Sequence, residues 1–276
     1  MEGLSRRVLA TALVLLSCGL FAAPLRATDV EKHVLCAGTP WATELYVLRG
    51  PAPGPSVMVI GGLHGTEDSG WLTAEQFLSK KLANGTLVVV PRANRPAIKR
   101  HVRYTTHDLN HSFPGSPKGG GESRLAYEIM QAVGTYHCQL VLGLHQGHGV
   151  HSRDSRRVGQ TLITGIPRAK DDFPWRVVDK VNAHISNRAD HFTVDIYPVD
   201  GSSSEESVRK YHNRAFALES SDTYPLAKRI EYLRLLVDGC LSEVGMRYAT
   251  APAPTASVPP HLPMRARASL KARSRD

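Results

Sequence analysis

The sequence predicts an α/β fold in which a mixed, largely parallel β-sheet is sandwiched between helices. Three observations carry that expectation. Short apolar, β-branched runs alternate with longer segments whose apolar residues recur at helical spacing, in the order β-α-β-α-β. The strand-like runs are apolar throughout, as strands covered on both faces are. Three residues suited to chemistry, His64, His145 and Glu219, each come directly after or four residues beyond a predicted strand. Open α/β sheets build their sites at the carboxyl ends of strands, so these three are expected to converge on one edge.

The first predicted strand, residues 56–60, ends at Gly61-Gly62 and leaves into a loop. Residues 69–83 carry Trp71, Leu72, Phe77, Leu78 and Leu82 at helical spacing, and Asn84-Gly85 is expected to stop that helix. A second strand over residues 87–90 is closed by Pro91. Residues 92–121 are polar, with Pro96, Pro114 and Pro117 and several glycines. A loop of that length in a compact domain is usually functional. A helix over 122–133 precedes a third strand, 139–144, that runs straight into His145. Strands over 160–163 and 193–197 flank a helix over 173–185. A serine-rich turn from Ser202 opens a short helix reaching Tyr211, a strand over 214–218 delivers Glu219, and a long helix over 226–244 closes the domain.

The 276 residues suffice for one α/β domain, expected over 29–250. Residues 1–28 read as an export signal: Arg6 and Arg7 precede a short apolar run, Val8 to Leu16, that cannot span a bilayer as a permanent helix. An exported protein, periplasmic or extracellular, is therefore expected. Two processing routes are open, a lipid anchor at Cys18 within Leu15-Leu16-Ser17-Cys18-Gly19 or simple cleavage near Ala23 or Ala27. Residues 251–276 are rich in Pro, Ala and Arg, lack a core pattern, and are expected to be a disordered tail. The formal net charge is +9, of which the tail holds +4 and the leader +2, leaving +3 for the body. So mild a surplus suits an anionic small substrate and does not call for nucleic acid as a partner. Cys36, Cys138 and Cys240 allow at most one internal disulfide, or three buried thiols.

The segment Gly61-Gly62-Leu63-His64-Gly65-Thr66-Glu67 offers an imidazole and a carboxylate three residues apart at a strand-to-helix turn. Such a pair can reach one metal from the same side, and zinc accepts both donor types while a catalytic site leaves a position open for water. The third donor has three candidates, His145, His148 and His151; only His145 ends a buried strand. The second segment of note is Arg103-Tyr104-Thr105-Thr106-His107-Asp108-Leu109-Asn110-His111-Ser112-Phe113-Pro114-Gly115. Gly119-Gly120-Gly121 lacks the lysine and hydroxyl of a phosphate-binding loop, and serines 202, 203, 204 and 207 lack a nucleophile-elbow context.

With these residues in view, the chain resembles the zinc carboxypeptidase superfamily, in particular its succinylglutamate desuccinylase/aspartoacylase-like branch. That family carries a GG-x-H-G-x-E loop, an arginine before a D-L-N-R-x-F-P-G segment, a strand-terminal histidine and a strand-borne glutamate, and each has a counterpart here in the same order. The resemblance implies one zinc ion per chain held by His64, Glu67 and His145. It implies Glu219 as the catalytic glutamate, Arg103 beside the scissile carbonyl, and Asn110 and His111 as substrate contacts. The family's usual arginine after the asparagine is His111 here, and a neutral histidine cannot hold a carboxylate bidentately. That implies either a substrate without a free α-carboxylate at this place or compensation from Lys99, Arg100 or His107. The expected activity is hydrolysis of an amide bond in a small peptide, carboxypeptidase-type, with cell-wall peptide as one candidate source. The alternatives are deacylation of an N-acyl amino acid, or a binding protein that keeps the fold without turnover.

Overall fold

A computed structural model of the chain describes residues 29–249. The expected export signal, Cys18 and the tail from residue 251 lie outside these residues. The described strands are β1 (Asp29–Leu35), β2 (Thr43–Arg49), β3 (Ala52–Ile60), β4 (Asn84–Val90), β5 (Leu140–Gly147), β6 (Thr161–Thr164), β7 (Thr193–Ile196) and β8 (Arg214–Ser221). The helices are α1 (Asp68–Gln76), α2 (Arg95–Arg100), α3 (Gly121–Thr135), α4 (Phe173–Asn182), α5 (Ser203–Tyr211) and α6 (Leu226–Glu243). All eight strands join one sheet in the order β1-β2-β4-β3-β5-β8-β6-β7. The centre, β4-β3-β5-β8, is parallel; β1, β2 and β6 pair antiparallel with their inner neighbours, and β7 runs parallel to β6. The fold is thus the mixed, mostly parallel α/β sandwich that the sequence predicts. Among the described residues no helix is long and apolar enough to cross a membrane.

Strand alternation divides the core into two layers. Val57 and Val59 of β3, Leu140, Leu142 and Leu144 of β5, and Phe216 and Leu218 of β8 pack with Phe173, Val177, Leu233 and Leu236 on the α1/α4/α6 side. Met58, Ile60 and Val141 pack with Leu125, Ala126 and Ile129 of α3 on the other. Period two therefore puts His145 and Glu219 on the α3/α5 side, and Gln146 and Ser220 on the α1 side. Burying a side chain such as Phe77 or Phe216 contributes about 1.5–3 kcal/mol over leaving it exposed.

The structure departs from the sequence expectation in four places. Residues 29–49 form two strands that were not anticipated. Residues 30–34 are exposed throughout, so β1 has no buried face to produce alternation. β2, by contrast, does alternate buried and half-buried residues. Asn84-Gly85 does not stop the first helix. That helix ends at Gln76 and continues as a single 3-10 turn, Phe77–Ser79. Asn84 opens β4, its side chain bound to Gly245 O (2.9 Å) and Arg247 N (2.8 Å), because a tertiary anchor outweighs local turn preference here. The polar segment 92–121 holds α2, capped by Asn94, and a 3-10 turn at Leu109–His111. His145 and Glu219 lie inside β5 and β8 rather than beyond them, because both strands continue pairing to Gly147 and Ser221. Cys36, Cys138 and Cys240 are three buried free thiols.

Candidate metal centre and active site

The site sits at the carboxyl edge of β3, β5 and β8. After β3, Gly62 takes a positive φ of +68°, and Gly65 passes so close to α2 that an added Cβ would fall 2.2 Å from the Ala97 carbonyl carbon. Only glycine meets both demands, and the resulting turn brings His64 and Glu67 to the same side. β5 supplies His145, and register pairing sets Glu219 of β8 directly beside it.

His64, Glu67 and His145 are all buried, with ligand atoms within 4.8 Å of one another. The Glu67 carboxylate lies between the two imidazoles: Oε1 is 2.7 Å from His64 Nδ1, and Oε2 is 3.0 Å from His145 Nδ1. Gln146 N donates to Glu67 Oε2 at 3.2 Å. The far nitrogen of His64, Nε2, lies 3.0 Å from Asp108 Oδ1, which also accepts from Asn110 N at 2.9 Å. Two imidazoles and a carboxylate in this proximity form a donor set that fits zinc, and the Asp108–His64 bond is the outer partner that metal-directed histidines usually have.

The electrostatics fit the same picture. Burial opposes charge on His64, but Asp108 and Glu67 outweigh it and hold the imidazole up to about 9. Burial likewise works against the Glu67 carboxylate, yet His145 and His64 keep it well below its ordinary range. Burial dominates at His145 and pushes it down toward the neutral imidazole. Glu219 goes the other way. Burial, then the Glu67 charge, raise it well above the usual carboxylate range. No hydrogen bond reaches its side chain among the described residues, and the residue is half-buried. Gly147 makes room for it, since a Cβ there would stand 3.1 Å from Glu219 Oε2.

Arg103 joins the cluster from the loop after α2. Its guanidinium is 3.1 Å from Glu67 Oε1 and 3.4 Å from Asp108 Oδ2, and its side chain is half exposed. Arg103 O accepts from Gly65 N at 3.1 Å, fastening this loop to the His64 turn. Asn110 is half-buried, with Oδ1 buried and unpartnered among the described residues. His111 is exposed, and its Nδ1 is 3.1 Å from Asp200 O. Lys99 and Arg100 line a broad groove beside α2 with Arg92 and Arg95. Neither they nor His107 makes a hydrogen bond or ion pair to Asn110 or His111 among the described residues. His148 pairs with Asp222 (2.7 Å) and His151 with Arg157 O (2.8 Å), so both rivals of His145 are committed elsewhere.

Two residues of this site went unassigned in the sequence reading. Asp108 stood inside the D-L-N segment without a role. Glu122, in the first turn of α3, is fully buried and accepts from Thr105 Oγ1 (2.6 Å) and Thr106 N (3.2 Å). It thereby grips the loop between Arg103 and Asp108. An acid opening a helix is an ordinary feature, so only burial distinguishes Glu122.

Residues 53–242 match the succinylglutamate desuccinylase/aspartoacylase catalytic domain. The chain belongs to this family. It is 37% identical over 101 residues to the N-alpha-acetyl-L-2,4-diaminobutyric acid deacetylase of Halomonas elongata, covering 34% of this chain and 29% of that protein. It is 36% identical over 104 residues to an N-acyl-aromatic-L-amino acid amidohydrolase (carboxylate-forming) of Xenopus tropicalis, covering 32% of this chain and 33% of that protein. The chain thus matches about a third of the length of these curated relatives. In fold it resembles the cell shape determinant protein Csd4 of Helicobacter pylori, with a TM-score of 0.65 at 21% identity over 75% of this chain and 56% of that one.

Proposed function

We propose that the protein is an exported zinc-dependent amide hydrolase acting on a small peptide or an N-acyl amino acid. The observation that carries this reading is the buried His64–Glu67–His145 cluster with Glu219 beside it in register and Arg103 at its mouth. When bound there, zinc supplies a Lewis acid and lowers the pKa of its water to about 7. His64, Glu67 and His145 hold it. Glu219 is the general base: it stands beside His145 in register with no hydrogen bond on its side chain among the described residues, so its carboxylate is available to take a proton from water and pass it to the leaving nitrogen. Arg103 is the half-exposed cation that meets charge developing on the carbonyl oxygen. Asn110 offers its side-chain amide to the substrate.

Two substrate readings have separate support. An export leader and a fold shared with Csd4, a protein described as a D,L-carboxypeptidase, favour a peptide outside the cytoplasm. The two curated relatives, both acting on N-acyl amino acids, favour deacylation. His111 bears on both, because it removes the bidentate carboxylate clamp an arginine would provide. Steady-state turnover of short peptides against N-acyl amino acids, with and without chelator, separates them. Turnover of N-acyl amino acids alone eliminates the peptide reading. Activity on either class that survives complete zinc removal eliminates the mechanism.

A further inference from the structure

The two metal-directed histidines differ in what their second nitrogen meets. His64 Nε2 has Asp108 Oδ1 at 3.0 Å. His145 Nε2 is buried and has no hydrogen-bond partner among the described residues. An imidazole that directs Nδ1 at a metal carries its proton on Nε2, and that N–H ordinarily donates to a fixed acceptor. A buried donor left without one keeps the full penalty of its desolvation.

The surroundings of Gly143 indicate where the acceptor is. Gly143 lies two residues before His145 on β5 and so faces the same side of the sheet. A Cβ built on it would stand 3.4 Å from His145 Nε2, 3.3 Å from Ser203 Oγ and 3.3 Å from Leu63 Cδ1. The space above Gly143 is thus shared by the unpartnered nitrogen, a serine hydroxyl and a methyl group that accepts nothing. Ser203 is buried, 2% exposed, at the first position of α5. The helix cap is made by its neighbour, since Ser202 Oγ accepts from Glu205 N at 3.0 Å. Ser202 Oγ also pairs with Ser204 Oγ at 3.1 Å. Ser203 Oγ has no hydrogen bond among the described residues, so its lone pairs are uncommitted on the side of Gly143 where the ring nitrogen lies.

We propose that Ser203 is a positioning residue for the metal centre: its hydroxyl accepts the Nε2–H of His145 and so fixes Nδ1 as the nitrogen turned toward Glu67 and the metal. The inference rests on the metal-centre reading above. It gives the two histidines unlike supports, a carboxylate for His64 and a neutral hydroxyl for His145. It also explains why β5 carries glycine at position 143, because any side chain there would fill the space the two groups share. α5 thereby acquires a function apart from packing, holding the back of the site from beneath the sheet edge.

The test uses the full chain with zinc as the probe. Zinc affinity is measured by chelator competition on wild type, Ser203→Ala, Ser203→Thr and Gly143→Ala. The histidine ring nitrogens of the zinc-loaded proteins are followed by 15N–1H correlation. Ser203→Ala is expected to weaken zinc binding by about 10- to 100-fold, the usual cost of losing an outer partner, with the metal-free melting midpoint unchanged. Ser203→Thr, which keeps the hydroxyl, is expected to restore affinity, and Gly143→Ala to mimic the loss. In wild type the His145 Nε2 proton is expected to be slow to exchange. A rapidly exchanging Nε2 proton in wild type overturns the proposal, even if Ser203→Ala fails to fold. So does a Ser203→Ala protein with wild-type affinity and unchanged ring shifts. If wild type takes up no zinc, the metal-centre reading falls and this inference with it, whereas normal uptake with an indifferent Ser203 removes this inference alone.

Discussion

Two buried carboxylates in this molecule are surrounded by donors, and their surroundings could hardly differ more. Glu67 is 5% exposed and Asp190 2%. Glu67 lies between two imidazole Nδ1 atoms, with Arg103 at the rim. Asp190 accepts from Lys228 Nζ (2.6 Å), Tyr224 OH (2.8 Å) and Tyr232 OH (3.0 Å), with Arg153 at 3.4 Å. The donors around Asp190 are permanent ones, because a lysine and two tyrosine hydroxyls keep their protons at neutral pH. The two imidazoles beside Glu67 can give theirs up, because a deprotonated imidazole nitrogen becomes a ligand for a cation. Burial of a carboxylate therefore does not mark a reactive site. What marks it is a partner able to exchange its proton for a metal.

The largest effect that would break this contrast is at Glu67 itself. Glu67→Gln is expected to abolish stoichiometric zinc uptake and all turnover while leaving the fold intact, read by metal analysis beside circular dichroism. Glu219→Gln is expected to keep zinc yet lower kcat by about 10²–10⁴-fold, the range of a general base. Arg103→Ala, with the same metal content, is expected to lower kcat/KM by about 10²–10³-fold. A change in KM alone there would mean that Arg103 binds substrate without stabilising the transition state.

At Asp190 the expectation reverses. Asp190→Asn leaves zinc content unchanged and destabilises the domain by about 1–3 kcal/mol, measured by urea unfolding, because it removes the charge from a buried acceptor that Lys228, Tyr224 and Tyr232 all donate to. An acid titration sharpens the same point. Burial works against the Asp190 carboxylate, but Lys228 and the two tyrosines outweigh it and hold its pKa below the ordinary value. The stabilisation is therefore full above the unfolded-state pKa of about 3.9 and disappears as pH falls through the lower folded-state value. Stability of wild type should drop over that acidic window, and Asp190→Asn should remove that part of the slope. An unchanged slope would assign the acid sensitivity to other carboxylates.

Much of this was legible along the chain. The central strands declared themselves because both their faces are buried, which leaves uninterrupted apolar runs at β3, β4 and β5. His64 and Glu67 were legible because glycines at a strand end announce a tight turn. β1 was not, because a strand whose residues 30–34 are all exposed has no pattern to show. α2 was hidden by the very features of its loop, a proline and several basic residues, although its Asn94 cap was in plain view. Glu122 and Asp190 could not be told from surface acids, since nothing local reports which carboxylate a fold will bury.

The sequence by itself determined the layering of the sheet and singled out His64, Glu67 and His145 as a candidate donor set, because periodicity, turn chemistry and ligand type are properties of neighbours along the chain. Only the tertiary structure decided which nitrogen each histidine presents and what supports the other. Asp108 is 44 residues from His64, and it meets the ring because the loop after α2 is fastened to the His64 turn and gripped by Glu122. Ser203 and His145 both border Gly143 because α5 packs against β5. Hydrogen-bond geometry of this kind depends on the close approach of distant segments, and packing sets that approach.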